Sequence, residues 1–237
     1  MTAVGSRSVV VTGVARRGQL GEAVAAAFVR DRATVSIVAR RLADAEARAA
    51  ELRRLGGPVH AFACDLADPG AATTLARDIL AATGRVDVLV NLAGGFAFTG
   101  PVADSDPGDY ATQYAINVAT AYAATRAFLP ALRAVSGAVV FAASASAVPG
   151  ARVRGVSAYV MAKSAVVSLM RAVAQEERPH GVRANAIAPG TIRTASNVAA
   201  MPHDTRFIDR EAVAAAILFL ASPAAAAVTG EVVELSS

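Results

Sequence analysis

Tyr159 and Lys163 stand four residues apart in the stretch SAYVMAKSAVVSL. On a helix, that spacing puts both side chains on one face. A free phenol, with a pKa of about 10, is a poor acid at neutral pH. An ammonium beside it stabilises the phenolate and lowers that pKa towards the working range. Such a tyrosine gives a proton to a carbonyl oxygen, or takes one from an alcohol. The lysine also stands out by count: the chain has 22 arginines and this single lysine. Where arginine is used everywhere else, a lone ammonium marks a place that a planar guanidinium will not serve. Tyr-x-x-x-Lys also occurs by chance, as a helix carrying two amphipathic side chains, so its surroundings decide.

A second stretch, VVTGVARRGQLGEAVA over residues 10–25, joins a β-branched run to a helix-like one through glycines and arginines. A strand that breaks at Thr12-Gly13 and resumes as a helix near Gly21 lets backbone N–H groups approach a pyrophosphate. The helix N-terminus favours its charge. The spacing of Gly13, Gly18 and Gly21 is not G-x-G-x-x-G, and a tight turn reads the same way. The second strand ends SIVARR, where an acidic residue would hold a ribose 2′-hydroxyl. Ala39 stands there instead, followed by Arg40 and Arg41, with Arg16 and Arg17 in the neighbouring loop. An arginine fork accepts a 2′-phosphate. NADP(H) is therefore expected ahead of NAD(H); the plainer alternative has Arg40 and Arg41 merely opening a surface helix.

The elements that would position these residues alternate along the chain. Apolar or β-branched runs cover 8–12, 33–39, 59–64, 86–93, 137–144, 182–188 and 231–235. Alanine-rich segments with helical spacing fill 21–30, 42–55, 69–83, about 107–135, 157–177 and 209–221. Near-continuous apolar strands alternating with helices predict a parallel sheet covered on both faces. Right-handed crossovers make it a doubly wound α/β sheet, a Rossmann fold of about seven strands. No linker or repeat divides residues 1–237, so one domain is expected, with a short substrate-side segment at about 191–210.

Hydrophobic residues at 54% and charged residues at 18% give a globular profile. Cys64 is the lone cysteine and the N-terminal MTAVGSRSVVVTG has no apolar core, so the chain is expected in the cytoplasm. The uncharged runs 134–151 and 212–230 are cut by glycine and proline, so no membrane span is expected. A net charge of +4 invites nucleic acid, but the basic residues are scattered, without a dense tract or interleaved aromatics. His60, His180 and His203 are isolated, and no metal site is expected.

The chain resembles the short-chain dehydrogenase/reductase family over nearly its whole length, including its 3-oxoacyl-carrier-protein reductase-like members. The resemblance rests on VTGVARRGQLG, CDLAD (64–68), NLAG (91–94), INVATA (116–121), FAASASA (141–147), YVMAK (159–163) and NAIAPGTIRT (185–194), in family order. It implies a hydride transfer between carbonyl and secondary alcohol, with Tyr159 as general acid/base. Lys163 would lower the tyrosine pKa and bind the nicotinamide ribose. Ser144 would hydrogen-bond the substrate oxygen, and Asn117 would kink its helix and hold a water leading to Lys163. Cofactor contacts are implied at Gly13, Arg17, Gly18, Leu20, Gly21, Arg40, Asp65, Leu66, Asn91, Ala93, Gly94, Pro189, Gly190 and Ile192, as well as at Tyr159 and Lys163. Thr191 would help to shape the nicotinamide pocket. Asp65 would reach the adenine and Asn91 would brace the strands. A homodimer or homotetramer through helices 107–135 and 157–177 is also implied.

Three departures from the family pattern stand out. The first loop is two residues longer than the common form. In length it resembles that of enoyl-carrier-protein reductases, which however space their tyrosine and lysine farther apart. Counting from the strand favours Ser144 as the substrate-side serine, whereas counting back from Tyr159 favours Ser146. Finally, SNVAAMPHDTRF is short for a lid, and the tail VTGEVVELSS lacks the usual Asp-Gly-Gly. These last features keep open an alternative, a nucleotide-binding regulator or scaffold with little turnover. By loop position, Phe96, Phe98 and Val153 are expected to make a partly apolar substrate pocket.

Overall fold

A computed structural model describes residues 7–237; the reading of the extreme N-terminus lies outside them. Strands β1 (Ser8–Thr12), β2 (Thr34–Ala39), β3 (Val59–Ala63), β4 (Val88–Asn91), β5 (Ala138–Ala142) and β6 (Arg183–Pro189) fall on the expected runs. Beyond them, β9 (Val232–Leu235) falls on the expected run 231–235, and β7 (Ile192–Arg193) and β8 (Ile208–Asp209) lie between β6 and β9. Seven of these form one parallel sheet in the order β3-β2-β1-β4-β5-β6-β9, the doubly wound arrangement; β7 and β8 pair separately. The strand order reverses between β1 and β4, so the loops leaving them face one crevice.

The central strands are buried on both faces because alternate residues feed two different cores. Val9, Val11, Val88 and Val90 meet helices α1 (Leu20–Arg30), α2 (Leu42–Arg53) and α8 (Arg210–Leu220). Val10, Leu89, Val139 and Phe141 meet α3 (Pro69–Thr83), α5 (Thr120–Arg133) and α6 (Ser157–Glu176) on the other side. This is why the strands read as unbroken apolar runs.

Two regions differ from expectation. The helix expected over about 107–135 is α4 (Pro107–Tyr114), then a π turn over Ala115–Ala119, then α5. The segment after Thr194 contains a short helix, α7 (Ala195–Ala200), capped by the Thr194 hydroxyl, which accepts the Asn197 N–H at 3.2 Å. Among the described residues no helix is long and apolar enough to cross a membrane.

Candidate active site

The crevice is tied together from β1. The buried Thr12 hydroxyl donates to the Val90 carbonyl at 3.3 Å and accepts the N–H groups of Leu92 and Ala93, each at 3.0 Å. Gly13 follows at φ +78°, where a Cβ would lie 2.9 Å from the Leu92 and Ala93 backbone. Its N–H donates to the Val38 carbonyl at 2.9 Å. A Cβ on Gly21 would lie 2.9 Å from the Gly13 carbonyl oxygen, so α1 begins directly against the loop. Thr12 is thus a site residue that the sequence reading missed; its signal was a hydroxyl closing an otherwise apolar strand.

The backbone of Gly18, expected to contact the cofactor, makes two bonds within the protein. The Glu22 carboxylate accepts its N–H at 2.6 Å, and its carbonyl accepts the Ala195 N–H at 2.9 Å. Glu22 also takes Arg210 Nη1 at 3.1 Å, and the Gln19 amide donates to Ser196 Oγ at 2.9 Å. The extra length of the loop therefore reaches across to the substrate-side segment.

Asn117 sits inside the π turn, buried to 1% exposure. Its amide nitrogen donates to the carbonyls of Gly95 and Gln113 at 3.0 Å, and its oxygen accepts the Gly95 N–H at 3.2 Å. A side chain so committed braces the loop after β4. Gly94 stands beside it: a Cβ there would lie 2.5 Å from Asn117 Oδ1 and 3.6 Å from Lys163 Nζ. Asn91 donates to Thr125 Oγ1 at 3.0 Å, bracing β4 against α5.

The start of α6 brings Tyr159 and Lys163 to this point. Lys163 Nζ donates to the Ala142 carbonyl at 2.8 Å and lies 5.8 Å from the centre of the Tyr159 ring. Burial pushes the ammonium down to about 8. The Tyr159 phenol is pushed up by burial, and a hydrogen bond with the Ser144 hydroxyl draws it partly back. Ser144 Oγ meets Ser146 Oγ at 2.8 Å and accepts the Ser146 N–H at 3.3 Å. Ser144 faces the phenol, and Ser146 stands behind it.

Residues 7–204 match the model of the short chain dehydrogenase family. The chain belongs to that family. It is 34% identical over 238 residues to an uncharacterized oxidoreductase of Mycobacterium tuberculosis, covering 95% of this chain and 89% of that one. D-threitol dehydrogenase of Mycolicibacterium smegmatis is 33% identical, with 93% and 87% covered. The crystal structure of a short chain dehydrogenase from Mycobacterium smegmatis superposes with a TM-score of 0.86 at 31% identity, covering 98% of this chain and 92% of that one. This short-chain dehydrogenase is accordingly an oxidoreductase that uses a nicotinamide cofactor and acts on CH–OH groups.

The remaining expected residues of this short-chain dehydrogenase ring the same crevice or support it. Arg41 is taken by Asp44, at 2.7 Å and 3.0 Å. Arg16, Arg17 and Arg40 are exposed, without a hydrogen bond or ion pair among the described residues. Asp65 is exposed and accepts the Ala67 N–H at 3.1 Å, while Asp68 caps α3. Leu66 is buried in the core on the α3/α5/α6 side of the sheet, and Leu20 packs against the core on the opposite side. Pro189 ends β6, the Gly190 N–H donates to the Leu235 carbonyl at 2.9 Å, and Ile192 pairs with Ile208. The Thr191 carbonyl accepts the Ile208 N–H at 2.8 Å.

Proposed function

We propose that the chain is an NADP(H)-dependent carbonyl reductase or alcohol dehydrogenase in which Tyr159 is the general acid/base. The observation that carries this reading is the convergence of the Tyr159 phenol and the Ser144 hydroxyl next to a buried Lys163. The residues fit a nicotinamide dinucleotide. Gly13 and Gly94 keep the crevice floor clear where a Cβ would collide with backbone or with Asn117. Gly21 sets the α1 N-terminus against the loop, where its N–H groups favour a pyrophosphate. Arg40 is the uncommitted arginine after β2 and would take a 2′-phosphate, with Arg17 from the first loop, while Asp65 would meet the adenine.

When bound, the nicotinamide supplies or accepts the hydride. Tyr159 protonates the substrate oxygen in reduction and deprotonates it in oxidation, with Ser144 holding that oxygen. Lys163 keeps positive charge below the phenol and offers donors to the ribose hydroxyls. Tyr110, Tyr114, Tyr122 and Met161 are exposed on α4, α5 and α6, which supports a homodimer or homotetramer through those helices.

A titration with NADPH and NADH tests the cofactor, and Tyr159→Phe tests the chemistry. The expected result is tighter NADPH binding, kept in the variant, with turnover down by about a hundred-fold or more. Preference for NADH would remove the Arg40 reading alone. Binding of neither cofactor would favour the scaffold alternative that the short substrate-side segment left open.

A further inference from the structure

We propose that Phe96 and Phe98 form a rigid aromatic wall beside the reacting phenol, and that the substrate is an apolar cyclic ketone or its alcohol rather than a polyol. This deepens the reading of the site given above and rests on it. The Phe96 ring meets the Tyr159 ring at a centroid distance of 5.0 Å and 78°, an edge-to-face contact. Phe96 nevertheless remains 59% exposed and Phe98 70% exposed. A substrate whose oxygen lies between Tyr159 and Ser144 carries its skeleton past Phe96 and removes that apolar area from water.

The wall is held in place before any ligand arrives. At one end, Gly95 is gripped by the Asn117 amide through both its N–H and its carbonyl. At the other, the N–H groups of Thr99 and Gly100 donate to the Gly155 carbonyl at 2.9 Å and 3.2 Å. Gly155 has φ +76°, and a Cβ there would lie 2.5 Å from the Phe98 ring, so Phe98 lies on bare backbone. A loop pinned at both ends loses little freedom when it binds. The wall itself offers little to a polyol, whose hydroxyls each need a partner, and the exposed Arg152 and Arg154 lie farther along the loop between β5 and α6. Thr99 has the only polar side chain in residues 92–101, and its hydroxyl is buried. Ser146 has the only one in residues 145–151, and it is bonded to Ser144.

The test compares decalone, a bicyclic ketone, with the ketose xylulose at saturating NADPH. The expected kcat/KM is at least about ten-fold higher for decalone, the size of a lost aromatic contact. Phe96→Ala should raise the decalone KM more than it lowers kcat, and Phe96→Leu should restore part of the loss. Phe98→Ala serves where Phe96→Ala fails to fold. Equal or better use of xylulose, or an unchanged decalone KM in the folded variants, overturns the wall. Should neither compound be reduced, the carbonyl-reductase reading proposed above loses its support, and calorimetric titration of the NADPH-loaded protein judges the wall separately. Tighter binding of decalone upholds it, and equal or weaker binding overturns it.

Discussion

Lys163 is the neighbour of Tyr159 on α6, yet its ammonium bonds to the Ala142 carbonyl at 2.8 Å and stands 5.8 Å from the phenol ring centre. The two groups are perturbed in opposite senses, both by burial: the ammonium is down to about 8, and the phenol is raised. Each is thereby pushed towards its neutral form.

A consequence for stability follows from the lysine. Because its folded pKa is about 8 against 10.5 unfolded, the unfolded chain binds more protons between those values. Stability therefore rises with pH across that window, and the burial penalty is felt in full below it. Lys163→Met should raise stability near neutral pH by on the order of 2 kcal/mol, part of the gain being offset by the unpaired Ala142 carbonyl. Its advantage should shrink as pH approaches 10. Denaturant melts of both proteins across this range check it; a constant difference would contradict it.

The two serines should separate by kinetics. Ser144 is the serine whose hydroxyl acts on the phenol, and Ser146 meets that hydroxyl at 2.8 Å. Ser144→Ala should lower kcat/KM by about a hundred-fold, as loss of a hydrogen bond to a developing charge does. Ser146→Ala removes one neutral hydrogen bond, worth about 1 kcal/mol, and should cost less than about ten-fold. Steady-state rates of the two variants decide, and the reverse order would move the role to Ser146.

Gly13→Ala should be the most damaging single-methyl change in the phosphate loop. The φ of +78° is strained for alanine, and its Cβ would meet the Leu92 and Ala93 backbone at 2.9 Å. Together these should cost about 1–3 kcal/mol and displace the loop that Thr12 ties to β4. Both the melting midpoint and the cofactor dissociation constant should move. By contrast, Gly56→Ala has a comparable φ of +91° but open space around it, and should affect stability alone.

The seven-stranded sheet was readable because its central strands are apolar runs buried on both faces, a pattern that Val9, Val10 and Val11 carry without interruption, while the edge strands β3 and β9 are only half-buried. The strands β7 and β8 were not, since two residues carry no periodicity. The π turn was legible only as the kink implied at Asn117: helical spacing reads straight through INVATA, and nothing in it gives the form of the break. Tyr159, Lys163 and Asn117 were legible by type, but their bonds were not. The Ala142 carbonyl that holds Lys163, and the Gly95 backbone that holds Asn117, come from other elements and have no side-chain signature. Spacing could not choose between Ser144 and Ser146 because the turn joining them folds both hydroxyls to one place.

Cofactor choice turns on two adjacent arginines that the fold treats differently. Arg41 is neutralised by Asp44 through two hydrogen bonds, while Arg40 is exposed and uncommitted among the described residues. A phosphate can recruit Arg40 without breaking an existing pair, but Arg41 would first have to leave Asp44. A charge-assisted bond contributes about 1.5–3 kcal/mol, so Arg40→Ala should weaken NADPH binding by about ten- to a hundred-fold and leave NADH nearly unchanged. Arg41→Ala should alter either cofactor by less than about three-fold, within the range of an exposed ion pair. Fluorescence titrations of both variants with both cofactors provide the measurement. Equal losses for NADPH and NADH in Arg40→Ala would assign that side chain to the shared part of the dinucleotide and leave the 2′-phosphate to Arg16 or Arg17.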